Sequence, residues 1–174
     1  MAYLSQFASN VDYGVIRVGN GIVVSNGTIS VQANSGSAIT GTWLPAIASS
    51  QTATITLNIT NAKYVKVGQL VVCTFDFTVS VESGGSSSGQ LTITGLPFTS
   101  ITDTGYVGSL SISYFNNMNT DTGSISGSVV NNSTTINLWR DAGGSNTKTL
   151  TNLTQNDIKV STRLVGVVEY VSAT

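Results

Sequence analysis

An all-β, antiparallel domain, a sandwich or jelly-roll-like barrel, is what this sequence predicts, and three observations carry the prediction. Residues 70–81 alternate apolar and polar side chains without a break. Short apolar runs recur along the rest of the chain, parted by Gly, Asn and Ser. Only residues 153–158 offer a single helical turn. Period two is the signature of a pleated strand with one buried face, and evenly spaced short strands point to closed or layered β architectures.

Taken in order, residues 1–34 form an arm and a small hairpin. Tyr3, Leu4, Phe7, Val11 and Tyr13 are the arm's apolar anchors, and residues 14–18 read as a strand. The runs 22–24 and 28–31 flank Asn26-Gly27, a dipeptide whose residues tolerate the positive φ of a tight hairpin turn. Residues 33–41 are a linker of small residues, and the main domain is assigned to 35–174. Within it, residues 52–59 put Ile55, Leu57 and Ile59 on one face. The longest run puts Val71, Cys73, Phe75, Phe77, Val79 and Val81 on one face. Residues 82–89 read as a flexible loop whose 84–89 part is an exposed hairpin tip, and 91–94, 105–115, 123–130, 135–140 and 162–171 as further strands. In the last, Leu164, Val168 and Tyr170 share a face opposite Arg163, Val165, Val167, Glu169 and Val171.

Composition narrows the function. Only 9% of the 174 residues are charged and the net charge is −1, against about a quarter charged in ordinary domains. Ser, Thr, Asn and Gly take the place of charge, as an uncharged polar skin or as surface covered by other subunits, the latter being expected. Scattered Lys and Arg give no footprint for nucleic acid. No run approaches the roughly 18 apolar residues that span a bilayer, and no signal peptide opens the chain. Synthesis in a cytoplasm without membrane insertion is the expectation.

Histidine is absent and Cys73 is the one cysteine, which removes the commonest general base, the commonest metal ligand and any internal disulfide. Cys73 lies on the apolar face of the long run and reads as core. Asp76, Asp103, Asp121 and Asp141 are too widely spaced to predict a glycan-cleaving carboxylate pair. Asn117, Asn119 and Asp121 alternate like a calcium loop, but Gly123 comes one place late and Ser128 stands at the last ligand position. Gly-rich 84–89 lacks the Lys and helix of a phosphate cradle. No enzyme activity and no cofactor or metal are expected.

Three motifs carry a resemblance. GTWLP at 41–45, YVKVGQLV at 64–71 and GLPF at 95–98 stand in the order of the GTWxP, YxKxGxxV and GLPF motifs of C-terminal β domains in phage tail fibres and other virion surface proteins. Residues 14–31 resemble the short GI-V-NGxISV units before such domains, notably in cyanophage structural proteins. The resemblance covers residues 14–100 and implies a virion protein without turnover that forms a homotrimer. With about forty residues before Gly41, a compact knob is expected, docked through the arm on a capsid or tail component as a capsid-mounted decoration protein. The rival is a short tail-fibre adhesin that binds a host glycan or protein through distal loops, with Ser86, Asn117, Asn119, Asp121 and Ser145 at their tips.

Overall fold

The structure is a computed structural model, and it describes residues 22–25, 28–31, 38–84, 88–103, 105, 107–141 and 150–173. The anchors Tyr3, Leu4, Phe7, Val11 and Tyr13, the strand expected at 14–18, and the loop residues Ser86 and Ser145 lie outside them. The chain divides into two units, Met1–Ser37 and Ala38–Thr174. In the first, β1 (Ile22–Ser25) and β2 (Thr28–Val31) pair antiparallel with Ser25 opposite Thr28, the register that Asn26-Gly27 predicts.

The second unit is all-β and antiparallel. It contains β3 (Ile39–Thr42), β4 (Ala46–Ser49), β5 (Thr54–Val67), β6 (Leu70–Ser83), β7 (Leu91–Thr94), β8 (Gly108–Asn116), β9 (Ser124–Val129), β10 (Ile136–Asp141), β11 (Leu150–Asn152) and β12 (Arg163–Val171). A 3-10 turn at Gln155–Asp157 occupies the expected helical turn. The strands join in one path, β3-β5-β6-β12-β8-β9-β10-β7-β4, and β11 pairs with the end of β10 that β7 leaves unpaired. β3 and β4 stand at opposite ends of this path, yet only residues 43–45 separate them. That connection spans at most roughly 14 Å. The sheet therefore has to curl until its ends approach, and the result is a curled half-barrel.

One core fills the curl. Val71, Cys73, Phe75, Phe77 and Val79 of β6 face inward with Leu164, Val168 and Tyr170 of β12, and they meet Leu91, Ile93, Ile136 and Leu138 from β7 and β10. Phe75 and Phe77 stack at 5.1 Å, and Trp43 stands edge-on to Phe75 at 6.2 Å. Burial raises the Cys73 thiol to about 12, so this sulfur is an inert packing group.

Three bulges break the period-two pattern. Thr60 is the extra residue of β5 against β6, so the inward set changes from Ile55, Leu57 and Ile59 to Ala62, Tyr64 and Lys66. Ser80 is the extra residue on β6; beyond it Glu82 turns inward and Val81 turns out, 43% exposed. Val81 thus does not share the face of Val79, contrary to unbroken alternation. Ser113 does the same in β8, where Ile112 and then Phe115 point inward. Each extra residue rotates the following side chains to the other face and tightens the local twist.

Two further expectations change. Ile39–Thr42, which begins inside the linker expected at 33–41, is a strand because it completes the ladder of β5 from Lys63 to Lys66. No hairpin joins β6 to β7: β6 pairs with β5 and β12, and β7 with β10 and β4, so the strands on either side of the expected tip are not neighbours.

Candidate functional site

The three motifs meet in space. Gly41 passes under the Tyr64 ring, where a Cβ would lie 2.7 Å from it. Tyr64 packs edge-on against Phe98 at 5.3 Å, and the Lys66 ammonium lies 5.2 Å from the Phe98 ring centre while donating to the Gly68 carbonyl at 2.5 Å. Lys66 is buried. It is held by a carbonyl and an aromatic face, partners that offset the cost of burying a polar head. Tyr170 closes the group: its hydroxyl donates to the Phe98 carbonyl at 2.9 Å and accepts from the Phe98 N–H at 3.2 Å. Gly95, with φ +89°, passes so close to the Leu44 carbonyl that a side chain would collide with it. The motif residues therefore fasten one end of the curled sheet, and this cluster is architectural.

A second polar cluster ties down the loop at 117–123. Asp157 is 1% exposed. Its carboxylate accepts from Thr120 Oγ1 at 2.6 Å and from the Thr154 N–H and Oγ1 at 2.8 Å each. Arg140 Nε lies 2.9 Å from Oδ1 with its N–H aimed elsewhere, so its attraction is coulombic. Burial pushes the Asp157 carboxyl up, but the hydrogen bonds from Thr120 and Thr154, with Arg140, outweigh it and hold the group below its ordinary range. Beside it the Gln155 side chain is buried and donates to the Glu82 carboxylate and to the Gly84 carbonyl. Asp157 and Gln155 do not appear among the sequence-derived candidates, although Asp157, three residues after Thr154, is the available signal of a capping box.

This cluster decides the status of the loop residues. Asn117, with φ 56°, donates through its side chain to the Val160 carbonyl, and its own carbonyl accepts from Thr162 Oγ1. Asn119 donates to the carbonyls of Asp157 and Asn156. The Asp121 carbonyl accepts from Arg140. The sequence places these three at a loop tip, and the structure brings them together in a turn fastened by these hydrogen bonds, with all three residues exposed. Among the described residues no group of three His, Cys, Asp or Glu converges on a metal position.

A cleft of about 330 Å³ lies where the ends of the sheet approach, lined by residues 42–44 and 59–63 at the Thr60 bulge. Its floor is Trp43, whose indole N–H donates to the Thr74 carbonyl at 3.0 Å. Leu44 stands exposed at its rim with Thr42, Thr60, Asn61 and Lys63. One cation and no carboxylate line it.

No family model matches the chain. No curated protein matches it either. Among solved structures, the crystal structure of the Dettilon tailspike protein (gp208) is similar to this chain with a TM-score of 0.59 and 20% sequence identity. The likeness covers 76% of this chain and 23% of the tailspike chain. This chain therefore shares its fold with a part of that protein.

Proposed function

We propose that this chain is a phage virion surface protein, made in the host cytoplasm and carried on the tail side of the particle, where it works by binding rather than turnover. The observation that carries the reading is the fold shared with a tailspike over 76% of the chain. The order of the GTWLP, YVKVGQLV and GLPF motifs supports it, because these residues build the closure of that fold. We read the curled sheet as a sandwich-like member of the virion β domains, attached to other virion proteins through residues 1–34. The tail-side position is our own reading, and a capsid-mounted decoration is the alternative to it.

Binding rather than catalysis is our reading, and two of the carboxylates are in keeping with it. Asp157 is saturated by Thr120, Thr154 and Arg140, and Asp76 by a two-pronged contact with Arg163. The cleft at 42–44 and 59–63 is the surface we assign to a host glycan or surface protein.

Antibody labelling of intact particles tests the reading. Gold at tail tips, together with saturable binding of the purified chain to host cells, is the expected result. Gold over the shell would return the protein to the capsid-decoration role, and particles that lack the chain would remove it from the virion.

A further inference from the structure

We infer that the open edge of β5, which runs into the cleft at Thr60, takes an extended peptide segment of a partner protein as an added antiparallel strand. This rests on the binding reading above and names the occupant of the same cleft. In a pleated strand, residues that share a face send their N–H and C=O groups to the same side. Inward-facing Ala62 sends its carbonyl to the Trp43 N–H, on the β3 side. Ile55, Leu57 and Ile59 also face inward, so their backbone groups point to that side as well. There β3 covers β5 only from Lys63 to Lys66, and β4 pairs with β7 alone. Among the described residues no strand pairs with the β5 edge at 54–59, and no other backbone group bonds to it. Sheet edges are ordinarily blunted by charge, proline or shortness. This edge, TITLNI, has six uncharged residues, four of them β-branched, and the bulge opposite them belongs to β6. It is a regular template up to Thr60.

The surroundings of the edge identify the occupant. The side chains of Ile55, Leu57 and Ile59 are only half-buried, and Leu44 at the cleft rim is 74% exposed. An added strand sets every second side chain beside them, so the peptide carries apolar residues at alternate positions. Lys63 closes the far end of the cleft, whose lining holds no carboxylate, and an acidic residue of the peptide is its complement. A glycan is less well matched. Stacking on a sugar ring needs an accessible aromatic face, whereas Trp43 is 7% exposed and its indole N–H is engaged by the Thr74 carbonyl. On the receptor reading, a host surface protein supplies the strand.

Fluorescence anisotropy of the full chain tests this with a labelled synthetic hexapeptide that alternates valine and threonine and ends in aspartate. Saturable binding is expected. In the antiparallel register the inward valines turn their amides toward β5 and the threonines turn theirs away. N-methylation of the valines should therefore weaken binding about ten-fold or more, and N-methylation of the threonines should leave it unchanged. Lys63→Glu should weaken binding by a similar factor, and a peptide ending in lysine should recover most of that loss. Excess peptide should also displace the chain from host cells, and protease treatment of the cells should abolish their binding. Absence of peptide binding, or equal affinity for the two methylated forms, overturns the inference. So does cell binding that resists protease and is lost when the surface glycans are oxidised with periodate. A chain that takes the peptide as expected and no host cell overturns the receptor reading instead, with the edge site still standing.

Discussion

The two faces of β6 are built from one stretch of chain and have opposite fates. Inward, Val71, Cys73, Phe75, Phe77 and Val79 are at most 1% exposed, and each meets side chains from strands that close over them. Outward, Val72, Thr74, Asp76 and Thr78 remain in reach of solvent, and the contacts there are lateral, between neighbouring strands. The inner face owes its stabilisation to removal of apolar surface from water, a term that grows with every layer that covers it. Among the described residues of the second unit no layer covers the outer face, so its side chains contribute little to folding.

The sharpest way to break this contrast is to truncate an inner ring. Phe77→Ala removes a fully buried side chain stacked on Phe75 and is expected to cost about 3–5 kcal/mol in chemical denaturation. A loss under about 1 kcal/mol would move this face to the surface.

A smaller effect comes from the loop end, where order rests on a buried carboxylate. Because the Asp157 carboxyl titrates lower in the folded chain than in the unfolded one, its contribution is present above the unfolded carboxyl pKa of about 3.9. It is lost as pH falls through the folded value. Wild-type stability should therefore fall on acidification below about pH 4, and Asp157→Asn should flatten that part of the profile while lowering stability at neutral pH. Equal acid sensitivity in the two proteins would show that the carboxylate does not hold the loop.

The smallest expected effect tests the bulge. Val81→Ser on the outer face should change stability by no more than about 0.5 kcal/mol, since the bulge at Ser80 turns this side chain out. A loss comparable to that of a core valine would mean that alternation runs unbroken to the end of β6.

Most of the strands were legible because period-two patterning is a local consequence of pleating. Residues 70–79 and 163–171 were identifiable with their buried faces, the strands at 91–94, 123–130 and 135–140 by position, and the pairing of 22–25 with 28–31 by its turn. Where the expectations changed, the cause was a partner distant in sequence. Ile39–Thr42 is composed like a linker and becomes a strand because β5 offers it an unpaired edge. Thr60, Ser80 and Ser113 carry no signal of a bulge, for a bulge is selected by how far the sheet has to bend around its contents. The candidate site was legible only in fragments. The sequence picks out Asn117, Asn119 and Asp121 as a tip, whereas Asp157, about forty residues on, is what fastens them.

By itself, then, the sequence determined an all-β chain poor in charge, without histidine, whose alternating runs name their own buried faces. Those properties follow from residue chemistry and from spacing along the backbone, and neighbouring residues suffice to express them. Only the tertiary structure decided that β3 and β4 stand at the two ends of one path and are drawn together by three residues. The same closure brings Gly41, Tyr64 and Phe98 into one cluster, opens the cleft at Thr60, and aligns Val67, Leu70 and Val171 across three strands. The physical reason is that register and curl are set by long-range pairing, in which each strand's position depends on all the others that share its core.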